Sequence, residues 1–177
     1  MSAEDGMAAL RALAGRHPEL IPEIEQIVRE NTSTITHEDI ADEVVAVFAE
    51  LTMFDLDRPN AADPFGYESP TDKAWDVVTE TIQPFVEATH RLAKMGLVAA
   101  AVTHCQGTLL GLYRSDREQV SELLEWAPDA LSELSDEPLK ALSAVRRRTM
   151  PGKKITVGKA LKEFARENLP EWGWLQK

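Results

Sequence analysis

Apolar residues recur at intervals of three and four along most of this chain, the spacing of one face of an α-helix. The longest such stretch is Ser69 to Arg114, SPTDKAWDVVTETIQPFVEATHRLAKMG followed by LVAAAVTHCQGTLLGLYR, which reads as a helical hairpin. Ser69, Pro70 and Asp72 give its first helix a capping hydroxyl, a proline at the first helical position and a carboxylate three residues after the cap. Gly96, just past Lys94 and Met95, supplies the left-handed residue that closes such a helix and lets the chain reverse. Ala99, Thr103, Gly107 and Gly111 fall four apart, so the second helix carries a stripe of small side chains that another backbone can approach closely. This makes it the central helix of the expected fold. Pro84, inside the first helix, predicts a kink or break near Thr79 to Ile82.

In chain order, Ser2 with Asp5 caps a first helix to about Gly15, and Pro22 starts a second with Ile24, Ile27 and Val28 on its apolar side. These two short helices are expected to pack as a pair. Thr36 with Asp39 caps a third, whose inward stripe is Ile40, Val44, Val47, Phe48 and Leu51. Residues 52–68, TMFDLDRPNAADPFGYE, hold no sustained period and read as a long loop, whose Phe54, Leu56, Phe65 and Tyr67 lie on the core. Ser115 with Glu118 reads as a further capping box, and Pro128 ends the helix it starts. Shorter helices follow around Asp129 to Leu134 and from about Glu137 to Arg148. TMPGKK is then a turn, Thr156 opens a last helix to about Asn168, and Trp172 and Trp174 dock an irregular tail.

The fold class is therefore all-α, about eight to nine amphipathic helices packed as antiparallel hairpins in a single compact bundle or short irregular solenoid. One domain spans 1–177, made of N-terminal helices at 1–51, the loop at 52–68, the central hairpin and following helices at 69–134, and a basic C-terminal part at 135–177. At LAKMGLVAAAV the hairpin resembles a tetratricopeptide helix pair, with a glycine near the start of its second half, small alanines at a crossing, and Trp75 as the aromatic of the first helix. It is similar in outline to hairpins of HEAT-type solenoids as well. The resemblance covers about 45 residues. It implies a scaffold that binds other proteins and brings no catalytic residues.

Charge narrows the function classes. The 177 residues carry a formal net charge of -11, which opposes attraction of the whole surface to nucleic acid or anionic lipid. The distribution is uneven. Residues 146–177 hold nine Lys or Arg against three Glu, a balance of +6, which leaves ten against 27, or -17, for the rest. Arg146, Arg147, Arg148, Lys153 and Lys154 bracket one turn and form the candidate interaction patch, able to grip phosphate or to pair with the protein's own acidic helices. Cys105 is the single cysteine, so there is no intrachain disulfide framework, and the chain suits a reducing compartment. The opening MSAEDGMAALRALAG lacks a signal pattern, and no apolar run reaches the roughly eighteen residues of a membrane span, so the expected location is cytoplasmic.

One group of side chains suggests metal chemistry. If the hairpin turns at residues 96 and 97, His90 lies seven residues before Leu97 and His104 seven after it, so antiparallel packing would set them at one level. Glu87 precedes His90 by one turn, and Cys105 adjoins His104. Imidazole, carboxylate and thiolate all suit a single zinc or iron ion. The competing reading has one histidine on the surface, the other hydrogen-bonded in the core, and Cys105 as a small buried hydrophobe. GKKITVGK lacks the spacing of a phosphate loop, and no nucleophile-elbow pattern occurs. The leading expectation is a non-enzymatic helical module, without cofactor, that binds a protein partner or itself. A metal-binding helical protein centred on His90 and His104, or a nucleic-acid accessory protein using Arg146 to Lys154, are the alternatives.

Overall fold

The computed structural model describes residues 3–57 and 69–176. The chain divides into two compact units, Met1–Thr34 and Ile35–Lys177. In the first, α1 (Ala3–Arg16) and α2 (Ile21–Ser33) flank a 3-10 turn at Pro18–Leu20 that both contact. Pro22 sits in the first turn of α2, where its missing N–H costs nothing.

The second unit is built from α3 (His37–Ala49), α4 (Pro70–Lys94), α5 (Val98–Glu118), α6 (Ala130–Leu134), α7 (Asp136–Ala141) and α8 (Val157–Asn168), with 3-10 segments at Met53–Asp57, Glu122–Trp126 and Gly173–Gln176. Seven α-helices of six residues or more occur among the described residues, slightly fewer than the eight to nine expected, because the stretch after Ala141 continues as turns. No strand forms among them, only an isolated antiparallel bridge between Thr149 and Thr156. None of the described helices is long and apolar enough to cross a membrane.

Helix α5 is the axis of this unit. It packs against α3, α4, α6, α7 and α8, and its residues from Gly107 to Leu112 are all buried. The small stripe marks the closest crossing, and the helix it admits is α3, not its hairpin partner α4. A Cβ added to Gly107 would lie 2.5 Å from the Ile40 Cβ and 2.7 Å from the His37 carbonyl oxygen. At Gly111 it would meet the Val44 Cβ at 2.5 Å and the Ala41 carbonyl oxygen at 2.9 Å. Arg114 completes the seam, donating to Glu38 at 2.6 Å and Asp42 at 3.1 Å.

The hairpin closes as its sequence predicts. Ser69 Oγ accepts from the Asp72 amide, Gly96 adopts φ +76°, and the Gly96 and Leu97 amides return to the Ala93 and Leu92 carbonyls, each at 3.1 Å. Pro84 does not break the helix near Thr79 to Ile82: α4 is helical throughout Pro70–Lys94. The proline lies on the exposed side, and the opposite face is buried at Val78, Ile82, Phe85 and Thr89, so packing outweighs one missing backbone bond.

Ser115 does not start a helix. It is fully buried within α5, which ends at Gln119 in a left-handed conformation, φ 48°. The cap belongs to Ser121, whose hydroxyl accepts from the Leu123 amide and donates to the Leu51 carbonyl at 2.7 Å, tying the Glu122–Trp126 segment to the end of α3. In the loop expected at 52–68, Leu56 is buried as predicted, but Phe54 is 84% exposed. Phe65 and Tyr67 lie outside the described residues.

Candidate functional site

The basic segment acquires its shape from backbone bonds between consecutive turns and the start of α8. Leu142, Val145 and Arg148 each donate to the carbonyl three residues back, and burial of Leu142 and Val145 leaves Arg146, Arg147 and Arg148 exposed. Gly152, at φ +71°, then turns the chain, and the Met150 amide meets the Ile155 carbonyl at 2.8 Å. This folds Thr156 back beside Arg148. The Val157 amide donates to the Arg148 carbonyl at 2.9 Å, the Gly158 amide to that of Arg146 at 3.0 Å, and the Lys159 amide to Thr156 Oγ1 at 3.3 Å.

Those bonds have two consequences. The first-turn amides of α8 already have partners, so an anion here is held by side chains, aided only by the helix dipole. The same bonds bring two cations of α8, a turn apart, against the arginines. An open cleft of about 670 Å3 results, lined by Arg146, Arg147, Thr156, Gly158, Lys159 and Lys162. Lys159 is 3.9 Å from Glu163, a solvent-exposed pair worth little. Among the described residues, none of Arg146, Arg147, Arg148, Lys153 and Lys154 forms an ion pair. Their pairing with the protein's own acidic helices is therefore not found there.

Of the five cations singled out by the sequence, Arg146 and Arg147 line the cleft; Arg148, Lys153 and Lys154 do not. Sequence reasoning missed Lys159 and Lys162. Their three-residue spacing on a strongly amphipathic helix was the available signal.

The other candidate group does not converge. His90 and Glu87 are exposed, and Glu87 accepts from Gln83 Nε2 at 3.1 Å. His104 is half-buried and faces Thr89, with Nδ1 at 3.0 Å from Thr89 Oγ1. Thr89 Oγ1 also donates to the Phe85 carbonyl at 3.0 Å, which leaves it able to accept from a protonated Nδ1 of His104. Cys105 is fully buried, and burial pushes its thiol far above the ordinary range, away from the thiolate a metal requires. Among the described residues, no three His, Cys, Asp or Glu are placed to hold a metal ion. The alternative zinc or iron set of Glu87, His90, His104 and Cys105 is thus not assembled. Thr89, not His90, occupies the level of His104, and one residue along a helix is a rotation of about 100°.

Burial, with a smaller contribution from Arg91, lowers the pKa of His104 below its ordinary 6.5. A lowered folded pKa means that the unfolded chain binds the proton first. The stability contributed by neutral His104 is present above pH 6.5 and is lost as pH falls through the folded value. We expect the urea midpoint to fall between about pH 7 and pH 5, and His104→Gln to flatten that fall. An equally steep decline in the variant would show that other groups carry it.

Comparison of the chain with protein families, with curated proteins and with solved structures finds no match.

Proposed function

We propose that the chain is a non-enzymatic helical interaction module whose contact face is the basic cleft at the start of α8, and that its partner presents an anionic group there. One observation carries this reading: in a chain with 30 acidic residues against 19 basic ones, Arg146 and Arg147, which line the cleft, form no ion pair with the described residues. Neutralising them internally would have needed only a nearby carboxylate. The close α3–α5 crossing supports the reading by giving the cleft a packed body to stand on, and the helical-hairpin resemblance of 69–114 agrees with a binding role. A cytoplasmic location belongs to the same proposal.

The test is fluorescence anisotropy with a labelled short peptide of alternating glutamate and serine. Saturable binding is expected at about 20 mM salt and weaker binding at about 150 mM, because the pair is screened. Arg146→Glu with Arg147→Glu should weaken it about tenfold or more while leaving the melting temperature unchanged. Absence of saturable binding at both salt concentrations, or equal affinity in the reversed variant, would sink the proposal.

A further inference from the structure

The cleft continues past Arg146 and Lys162. Those two residues also line an adjoining groove of about 300 Å3, together with Leu139, Lys140, Trp174 and Leu175. Trp174 is 46% exposed, whereas Trp172 beside it is 3% exposed, their ring centroids 5.7 Å apart and tilted by 30°. The Leu175 amide donates to the Trp172 carbonyl at 3.0 Å, so the exposed ring stands on an anchored one.

The two grooves differ in charge. The first gathers Arg146, Arg147, Lys159 and Lys162. The second shares Arg146 and Lys162 at its edge, its Lys140 is paired with Glu137 at 2.7 Å, Asp136 and Ser143 join the lining, and Leu139, Trp174 and Leu175 make its apolar part. A ligand that uses both sets its negative charge against the shared cations and a flat ring against the exposed Trp174. An acidic peptide answers the cations but leaves the exposed ring of Trp174 without a partner. Planar guanidinium groups match the oxygens of phosphate in pairs, and an exposed indole face takes a nucleobase by stacking. The balance of -17 on residues 1–145 repels a polyanion over a Debye length of about 8 Å at physiological salt, which selects a short ligand.

We propose that the joined grooves bind a nucleoside phosphate of mononucleotide size, its phosphate on Arg146, Arg147, Lys159 and Lys162 and its base against Trp174. The inference rests on the reading of the cleft as the binding face.

The test uses the full chain with adenosine monophosphate, ribose 5-phosphate and a single-stranded oligonucleotide, followed by calorimetry and tryptophan fluorescence. Adenosine monophosphate is expected to quench the fluorescence and to bind about tenfold more tightly than ribose 5-phosphate. Trp174→Leu should bring the nucleotide down to the affinity of ribose 5-phosphate, and Trp174→Phe should retain most of the difference. Arg146→Gln with Arg147→Gln should remove binding of both. Equal affinity of nucleotide and sugar phosphate, indifference to Trp174→Leu in a variant that melts normally, or tighter binding of the oligonucleotide would each overturn the proposal. If the acidic peptide binds while the nucleotide does not, this inference alone fails; if neither binds at low salt, the cleft is not the binding face.

Discussion

Replacing Gly107 with leucine lowers the stability of the Ile35–Lys177 unit by about 3 kcal/mol or more, the upper end of what overpacking costs, because no side-chain rotation can make room. The atoms that a new Cβ would meet are the Ile40 Cβ at 2.5 Å and the His37 carbonyl at 2.7 Å, both fixed to the backbone of α3. Relief requires α3 and α5 to separate, and separation exposes Ile40, Ala41, Val44 and Phe48, all buried at that seam. The loss is then shared by the whole contact, which is why it exceeds the effect of one added side chain. For a chain of this length, about 3 kcal/mol corresponds to a fall in melting temperature of roughly 6–12 °C. Ala99→Leu is the matched control. It belongs to the same four-residue stripe but lies exposed on the first turn of α5, and should stay within about 0.5 kcal/mol of wild type. Equal melting temperatures for Gly107→Leu and wild type would mean that the crossing is not close in solution.

That stripe was legible because close approach leaves a trace in one helix alone. So were the caps at Thr36, Ser69 and Thr156 and the turn at Gly96, each a matter of chemistry within four or five residues. Ser115 and Glu118 satisfy the same local pattern and were misread. Burial of Ser115 among the helices around α5 keeps it helical, and α5 stops instead at Gln119, a residue with no particular preference for φ 48°. The partner of the stripe was not legible either, since nothing in residues 98–118 distinguishes α3 from α4.

The candidate site divides in the same way. Arg146 to Arg148 were visible as a charge cluster, but the cleft depends on Lys159 and Lys162, brought in by the bonds from Val157 and Gly158 to the carbonyls of Arg148 and Arg146. Those are pairings between segments, invisible to periodicity. For the histidines, counting from the turn located the correct level on α5 and missed by one residue on α4. Along a helix that is the difference between Thr89, buried and bonded to His104, and His90, exposed to solvent.

Trp172→Ala should cost about 3–5 kcal/mol by urea denaturation, the usual cost of truncating a buried tryptophan. Two kinds of contact hold the tail, and their magnitudes are unequal. Arg117 and Glu171 form an ion pair at 2.6 Å, yet both side chains are about half-exposed, so the pair contributes no more than about 1 kcal/mol and fades with salt. Trp172 is 3% exposed, meets the Tyr113 ring of α5 edge-on at a centroid distance of 5.4 Å, and donates its indole N–H to Asp116. Burial raises the pKa of Asp116 and the bond from Trp172 lowers it, so truncation removes the bond that favours the carboxylate along with the packing. Arg117→Gln should accordingly change stability by less than about 1 kcal/mol, and the deficit of Trp172→Ala should be the same at about 20 and 500 mM salt. Trp174 stands against Trp172, so the same truncation should release it and lower any ligand affinity that depends on the groove it lines, even where the protein remains folded. A Trp172→Ala deficit below about 1 kcal/mol, or one that shrinks at high salt, would show that charge and not burial fixes the tail.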